Sequence, residues 1–427
     1  MGQETKEQEK FVIHGGKKLE GEIEVMGAKN AALKAFAASI LFNEPIIIKN
    51  CPFIEDVFRM MELLKMLGAE VASIGKRDFK ILGNMASSYV LNSEISKAMR
   101  SSIVLTGPLL AKFGKVQFPH PGGCVIGERP IDIFLEGFEK LGAKILNEGE
   151  NYVLEAKRLV GAEIIFKKVS VTATETLMMA SVLAEGKSVL YNTACEPEIS
   201  ALADFLNLSG ARIKGAGTYK IEITGVKNLK FKKPYVIISD RIEAGSFAIL
   251  AALLGKEIKI KNCDPEHLLV FLEHLKAAGV EIQKGKNYLQ ISASKKLKCI
   301  DVKTREYPGF PTDLQAPFVA LLIQAEGKSI VTETVFEGRL NYIEDLNRMG
   351  ANIIQCDPHR IIIEGGSNLH AREMESPDLR AGLGFMLAAF CAKGESKIHG
   401  VYKIDRGYEK IEKRLQGLGA EILRVKS

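Results

Sequence analysis

The stretch "DRIEAGSFAILAALLG", residues 240–255, opens with an aspartate and an arginine and then runs almost unbroken in Ala, Ile, Leu and Phe. Such a segment is a helix by residue type, yet it is apolar on nearly every face. A helix of that kind has no side to offer water and belongs inside a protein, wrapped by other elements. Five more stretches of the same character exist: "GAKNAALKAFAASIL" at 27–41, "SSIVLTGPLLAKFG" at 101–114, "TATETLMMASVLAEG" at 172–186, "TDLQAPFVALLIQAEG" at 312–327 and "DLRAGLGFMLAAFCAKG" at 378–394. Nearly all end at a glycine, read here as a helix stop.

A second phrase recurs downstream of each: "LGAEV" at Gly68, "LGAKI" at Gly142, "SGARI" at Gly210, "AGVEI" at Gly279, "MGANI" at Gly350 and "LGAEI" at Gly419, about 70 residues apart. It closes a second helix with apolar residues at helical spacing, such as Phe134, Phe138 and Leu141. Short strands such as "SVLYNTA" and "SIVTETV" lie between the helices. Each unit therefore reads β-α-β-α-β-β, and six copies make a repeat protein. Three copies per domain, with the apolar helices central, give an α/β fold of two domains. The seam is the basic, Pro-containing "GVKNLKFKKPYVIISD" at 225–240, so one domain is expected at 30–237 and the other at 1–29 plus 238–427. The first strand is expected to pair with the far end of the chain, and two crossings between domains allow hinged closure.

Composition narrows the function classes. The 427 residues carry a net charge of +6, with lysines interleaved among acids, which does not describe a nucleic-acid binder. Seven scattered cysteines without a C-x-x-C pair argue against a disulfide framework or a zinc site and for a reducing cytoplasm. The seven histidines lack ligand spacing, so no protein-held metal is expected. No apolar run approaches the roughly 20 residues that cross a bilayer, and a cytoplasmic protein without membrane contact is expected. "EGKSVL" at 185–190 and "EGKSIV" at 326–331 mimic the end of a phosphate-binding loop, but Ser181 and Leu322 stand where its first glycine is required. No dinucleotide fingerprint or nucleophile elbow is present.

What the repeat does not explain is charge at helix starts. Lys29, Arg100 and Arg380 stand at or beside helix N-termini, where the helix dipole disfavours cations. Either an anion lies between them and the free N–H groups, or neighbouring acids pair with them. Arg129, Arg339 and Arg406 add three forked cations suited to carboxylate or phosphate. Cys124, in "PHPGGCVIGERP" at 119–130, sits on a Gly-rich turn with no role in a core.

At these residues the chain resembles the enolpyruvyl transferases, in particular those that use UDP-N-acetylglucosamine. The resemblance runs from about Phe11 to Val425 and rests on "GAKNAAL", "MRSS", "PGGCVIGERPID", "ETLMMASVLAEG", "EPEI", "DRIEAG", "YPGFPTD", "TETVFEGR", "DLRAG" and "IDRGYE", in order. It implies two inside-out α/β barrel domains of three repeats each, with the active site in the cleft between them. It implies transfer of the enolpyruvyl group of phosphoenolpyruvate to the 3-hydroxyl of UDP-N-acetylglucosamine, by addition and elimination with phosphate release, without cofactor. Peptidoglycan synthesis, and through it cell-wall biogenesis, cell shape and cell division, would be its setting. A monomer is expected.

The same resemblance assigns residues. Cys124 would be the acid on a mobile loop over phosphoenolpyruvate, and Asp313 the base beside the sugar hydroxyl, although Asp313 alone reads equally as a helix N-cap. Lys29 and Arg406 would be catalytic cations. Lys29, Arg100, Arg129, Arg339, Arg380 and Arg406 would hold phosphoenolpyruvate. Asn30, Arg100, Arg129, Pro130, Ile131, Asp132, Ile133, Lys168, Ser170, Val171, Asp313 and Val335 would hold the nucleotide sugar. Met26, Lys34, Thr172, Gly338, Phe134 and Lys403 depart from the usual pattern, Lys34 replacing a proline and Thr172 a glycine. Two other readings stay open: the sister enzyme acting on shikimate 3-phosphate, which lacks the "PGGC" loop, and a non-catalytic relative, which would be expected to have lost Cys124, Asp313 or an arginine.

Overall fold

The computed structural model describes residues 9–426 except 92, 121–126, 128–129, 149–150 and 295. Contacts divide the chain into two compact units, one chiefly of Met1–Met26 and Ser239–Ser427, the other chiefly of Gly27–Cys124 and Arg129–Ile238. Each has its own hydrophobic core.

In the second of these units the core surrounds three helices, Lys29–Ala38, Thr106–Phe113 and Val171–Val182. In the first it surrounds Arg241–Leu254, Gln315–Ile323 and Leu379–Cys391. All fourteen residues of Arg241–Leu254 are buried, the charged Arg241 and Glu243 included. The all-round apolarity of residues 240–255 is thus realised as a central helix.

Sheets flank these helices, three in each unit among the described residues. The order in one sheet is Glu163–Ile165, Lys187–Tyr191, Lys220–Thr224 and Arg212–Lys214, a parallel pair continued by antiparallel strands. With helices Val171–Val182 and Pro197–Leu208 between its strands, this repeat is β-α-β-α-β-β. The sheet of Glu373–Glu375, Glu395–His399, Glu9–His14 and Glu421–Lys426 takes in both chain ends, with Glu9 opposite Lys426. Every sheet is open: none closes on itself among the described residues. The barrels implied by resemblance are therefore seen as separate short sheets.

The glycines sort differently from the sequence reading. All six "LGA"-type glycines have positive φ, from 88° at Gly279 to 103° at Gly350. Each turns the chain at a helix C-terminus, as where Gly68 N–H bonds to Lys65 and Ala69 N–H to Leu64. The expected stops of the central helices hold at Gly114, a left-handed cap, and at Gly255, the C-cap whose N–H bonds the Ala251 carbonyl. Helix Val171–Val182 ends before Gly186, which turns into the next strand at φ 88°. Gly255 is extended and starts a strand. The chain stays buried past several of these ends, as at Ala184, Ala325 and Ala392, and Gly186, Gly327 and Gly394 then make the turn with positive φ.

A third repeated feature was not read from the sequence. Asn50, Asn192 and Asn262 all lie in the left-handed region after a strand. Their side-chain amides donate to the carbonyls of Ile237, Phe166 and Val25 at 2.9, 2.9 and 2.7 Å. Each thereby fixes the segment that leads into a central helix.

Close packing at one glycine is testable. A Cβ on Gly107 would lie 2.3 Å from the Thr176 carbonyl oxygen of the adjacent central helix. Gly107→Ala is expected to destabilise the fold by about 1–3 kcal/mol, seen as a lower urea midpoint.

Candidate functional site

In the unit that starts at Gly27, the predicted residues gather at helix starts. Helix Lys29–Ala38 has no side-chain cap and no acid in its first turn. Lys29 nevertheless has an acid from elsewhere: its Nζ lies 2.6 Å from Oδ2 of Asp56, which is buried on helix Glu55–Met66. Asn30 follows, half-buried. Lys34 is buried one turn further in, and its Nζ is 3.1 Å from Oε2 of the fully buried Glu175. Glu175 lies on helix Val171–Val182. Burial pushes its carboxyl up to about 7, against the pull of Lys34 and helped by Glu198 and Glu196.

The start of Val171–Val182 carries a second group. Ser170 is its N-cap, its Oγ accepting from Ala173 N at 3.3 Å, which leaves the hydroxyl proton available to an acceptor. Val171 and Thr172 are half-buried and Lys168 is exposed. Arg100 begins the 3-10 helix Arg100–Leu105 and is half-buried. Pro130 and Asp132 are exposed, Ile133 is half-buried, and Ile131 is buried ahead of helix Asp132–Lys140. Phe134 is core. Cys124 and Arg129 lie outside the described residues.

In the other unit, the short helix Thr312–Leu314 presents Asp313. Its carboxylate does not cap a helix. Oδ1 accepts from Nη1 of Arg339 and Oδ2 from Nη2 of Arg380, both at 2.8 Å. The two arginines are 5% and 7% exposed, so this is a mostly desolvated cluster. Burial raises the Asp313 carboxyl, but Arg380 and Arg339 outweigh it and hold it far below the ordinary carboxylate range. Thus Lys29 and Arg380, read as cations lacking a local partner, each have a carboxylate supplied by a distant segment.

Val335 is shaped by a residue the motif reading passed over. Buried Glu333 accepts from the Thr304 and Thr312 hydroxyls at 2.9 and 2.8 Å and from Val335 N at 2.8 Å. Arg406 lies in the turn after helix Val401–Ile404, half-buried. Both its near neighbours are tied down. Asp405 takes two bonds from Arg424, at 2.9 and 2.7 Å, and the Tyr408 hydroxyl accepts from Arg380 at 3.2 Å. Lys403 donates to Glu375 and to the Ser376 carbonyl. Glu333 lies inside "TETVFEGR" with no role read for it, and Arg424 carries no local sequence signal.

Each unit by itself supplies cations held by a carboxylate: Lys29 by Asp56 in one, Arg339 and Arg380 by Asp313 in the other. Such a set binds and stabilises anions. It suits chemistry on a substrate with phosphate and carboxylate.

Comparison with known proteins agrees. The family described as EPSP synthase (3-phosphoshikimate 1-carboxyvinyltransferase) matches residues 13–415. A UDP-N-acetylglucosamine 1-carboxyvinyltransferase of Koribacter versatilis is 45% identical, covering 98% of this chain and 96% of that protein. One of Coxiella burnetii is 42% identical over the same shares. The enolpyruvyl transferase NikO from Streptomyces tendae has the same fold, with TM-score 0.89 at 22% identity over 98% of this chain and 99% of its own. EPSP synthase of Acinetobacter baumannii superposes with TM-score 0.74 at 19% identity, over 98% and 100% of the two chains. Full-length identity well above what fold alone requires shows that the chain belongs to the EPSP synthase family of carboxyvinyl transferases.

Proposed function

We infer that this chain transfers the enolpyruvyl group of phosphoenolpyruvate to the 3-hydroxyl of UDP-N-acetylglucosamine, releasing phosphate. The observation that carries the reading is the 42–45% identity, over nearly the whole chain, to proteins named for that acceptor. Lys29, Asp313, Arg339, Arg380 and Arg406 are all present, which speaks against a non-catalytic relative.

The reaction adds the sugar 3-oxygen to C2 of phosphoenolpyruvate while C3 gains a proton, giving a tetrahedral ketal. Phosphate then leaves with its C–O bond pair, and the methyl group returns a proton as the enol double bond reforms. Cys124 delivers the first proton, and Asp313 receives the hydroxyl proton. Lys29, Arg100, Arg129 and Arg406 neutralise phosphate charge. Asn30, Arg100, Arg129, Lys168, Ser170, Val171, Asp313, Val335 and the 130–133 segment hold the nucleotide sugar.

Asp313 as described is a weak base, because two arginines share its charge. Proton uptake requires that at least one of them be drawn away. The carboxylate of phosphoenolpyruvate is the natural competitor for Arg339 and Arg380, which ties base strength to substrate occupancy. The role sits in the cytoplasm, in peptidoglycan synthesis, with consequences for cell shape and division; the working form is a monomer.

The test is phosphate release from phosphoenolpyruvate with UDP-N-acetylglucosamine present, absent, or replaced by shikimate 3-phosphate. Release that depends on the nucleotide sugar is the expected result. Release with shikimate 3-phosphate alone would transfer the chain to the sister activity.

A further inference from the structure

The Tyr408 hydroxyl is the junction of a directed hydrogen-bond chain. It accepts from Arg380 Nη1 at 3.2 Å and lies 3.0 Å from Ser246 Oγ. Ser246 has one proton, and it goes to the Ile242 carbonyl at 2.7 Å. Tyr408 is therefore the donor to Ser246, and the order Arg380 to Tyr408 to Ser246 to Ile242 is fixed. Tyr408 and Ser246 are each 1% exposed, so no water competes for these bonds.

The other arm of Arg380 ends on Asp313. Nη1 is held by Tyr408 while Nη2 bonds Oδ2 of Asp313 at 2.8 Å. A planar guanidinium fixed at one nitrogen has its second nitrogen aimed as well. Tyr408 also stands two residues after Arg406, beyond Gly407. Gly407 packs so closely on Leu379 that an added Cβ would lie 2.8 Å from its side chain. The turn that carries Arg406 is thus tied to helix Leu379–Cys391, the helix that carries Arg380.

We propose that Tyr408 is a positioning residue: its hydroxyl aims Arg380 at Asp313 and ties that cluster to the turn bearing Arg406. The proposal rests on the reaction inferred above, since it assigns Asp313 and Arg406 to one chemical step. Without the hydroxyl, Arg380 turns freely between Asp313 and other acceptors, and the acid and the turn lose their common reference.

Tyr408→Phe keeps the ring and removes the bonding atom. Phosphate release by the full chain is expected to show kcat about tenfold lower, with KM for UDP-N-acetylglucosamine within about twofold. A double-mutant cycle on urea unfolding with Tyr408→Phe and Asp313→Asn is expected to be non-additive by at least about fivefold in the unfolding constant, because both act through Arg380. Ser246→Ala leaves the Tyr408–Arg380 bond in place and is expected to change kcat less than about threefold.

Additive unfolding effects would overturn the coupling, and a wild-type kcat in Tyr408→Phe would overturn the positioning role. A kcat loss equal in Ser246→Ala would mean that packing alone is at work and would equally overturn it. An inactive wild-type protein would refute the reaction, while the unfolding cycle would still decide the coupling.

Discussion

Asp313→Ala is expected to lower kcat for phosphate release by about a thousandfold and to weaken the fold by about 3–5 kcal/mol. The two losses have different causes. The rate falls because the group that takes the hydroxyl proton is gone. Stability falls because Arg339 and Arg380, both nearly buried, lose the one carboxylate that each contacts at 2.8 Å. Asp313→Asn should lose comparable rate with less stability, since the amide oxygen still accepts from one arginine. Urea unfolding beside initial rates separates the two. A variant as stable as wild type would show that the arginines find other partners.

The sign of the pH effect follows from the same contacts. A carboxyl held below its unfolded value contributes stability above the unfolded pKa and loses it as pH falls through the folded one. For Asp313 that loss lies well below pH 4. An acid limb near neutrality in kcat/KM, which reports the free enzyme, would therefore belong to another group.

Glu175→Gln is expected to be the second large perturbation, at about 3–5 kcal/mol, because it strands Lys34 as a buried unpaired cation. Lys34→Met should cost less, about 1–3 kcal/mol, since Glu175 can meet the loss by staying protonated. The double replacement Lys34→Met with Glu175→Met should recover most of the loss. The Lys34–Glu175 pair is 3.1 Å apart and almost wholly buried, so removing both charges together removes the cause of the loss.

Here the pH dependence has the opposite sign. The Glu175 carboxyl is raised to about 7 in the fold against about 4.5 unfolded, so the folded state binds the extra proton between those values. Its contribution is complete below about pH 4.5 and falls by about 3 kcal/mol as pH rises to about 7. Glu243, also raised by burial against the pull of Arg414, adds a slope of the same sign. The difference between wild type and Glu175→Gln isolates one group. Unfolding of both at pH 5 and pH 7.5 should show a steeper decline in wild type, and parallel slopes would remove Glu175 as the titrating residue.

The sequence by itself determined the elements and their rhythm. An unbroken apolar helix states its own burial, and a glycine that must adopt positive φ states where a helix turns; both signals lie within a few residues of one another. That is why six repeats were readable from residues 240–255 outward. It is also why the motif residues could be named by resemblance. The same local view failed where a helix ends several residues before its glycine, as at Val182 ahead of Gly186. It left open an N-cap role for Asp313, because capping is judged from neighbours alone.

Only the tertiary structure decided which charges face each other. Lys29 meets Asp56 from the next helix, Lys34 meets Glu175 after 141 residues, and Asp313 meets Arg380 after 67. Tyr408 closes on Ser246 from 162 residues away. No periodicity or spacing encodes such pairs. Their existence depends on desolvation, which makes an unpartnered buried charge intolerable, and their identity depends on which helices the packing brings side by side.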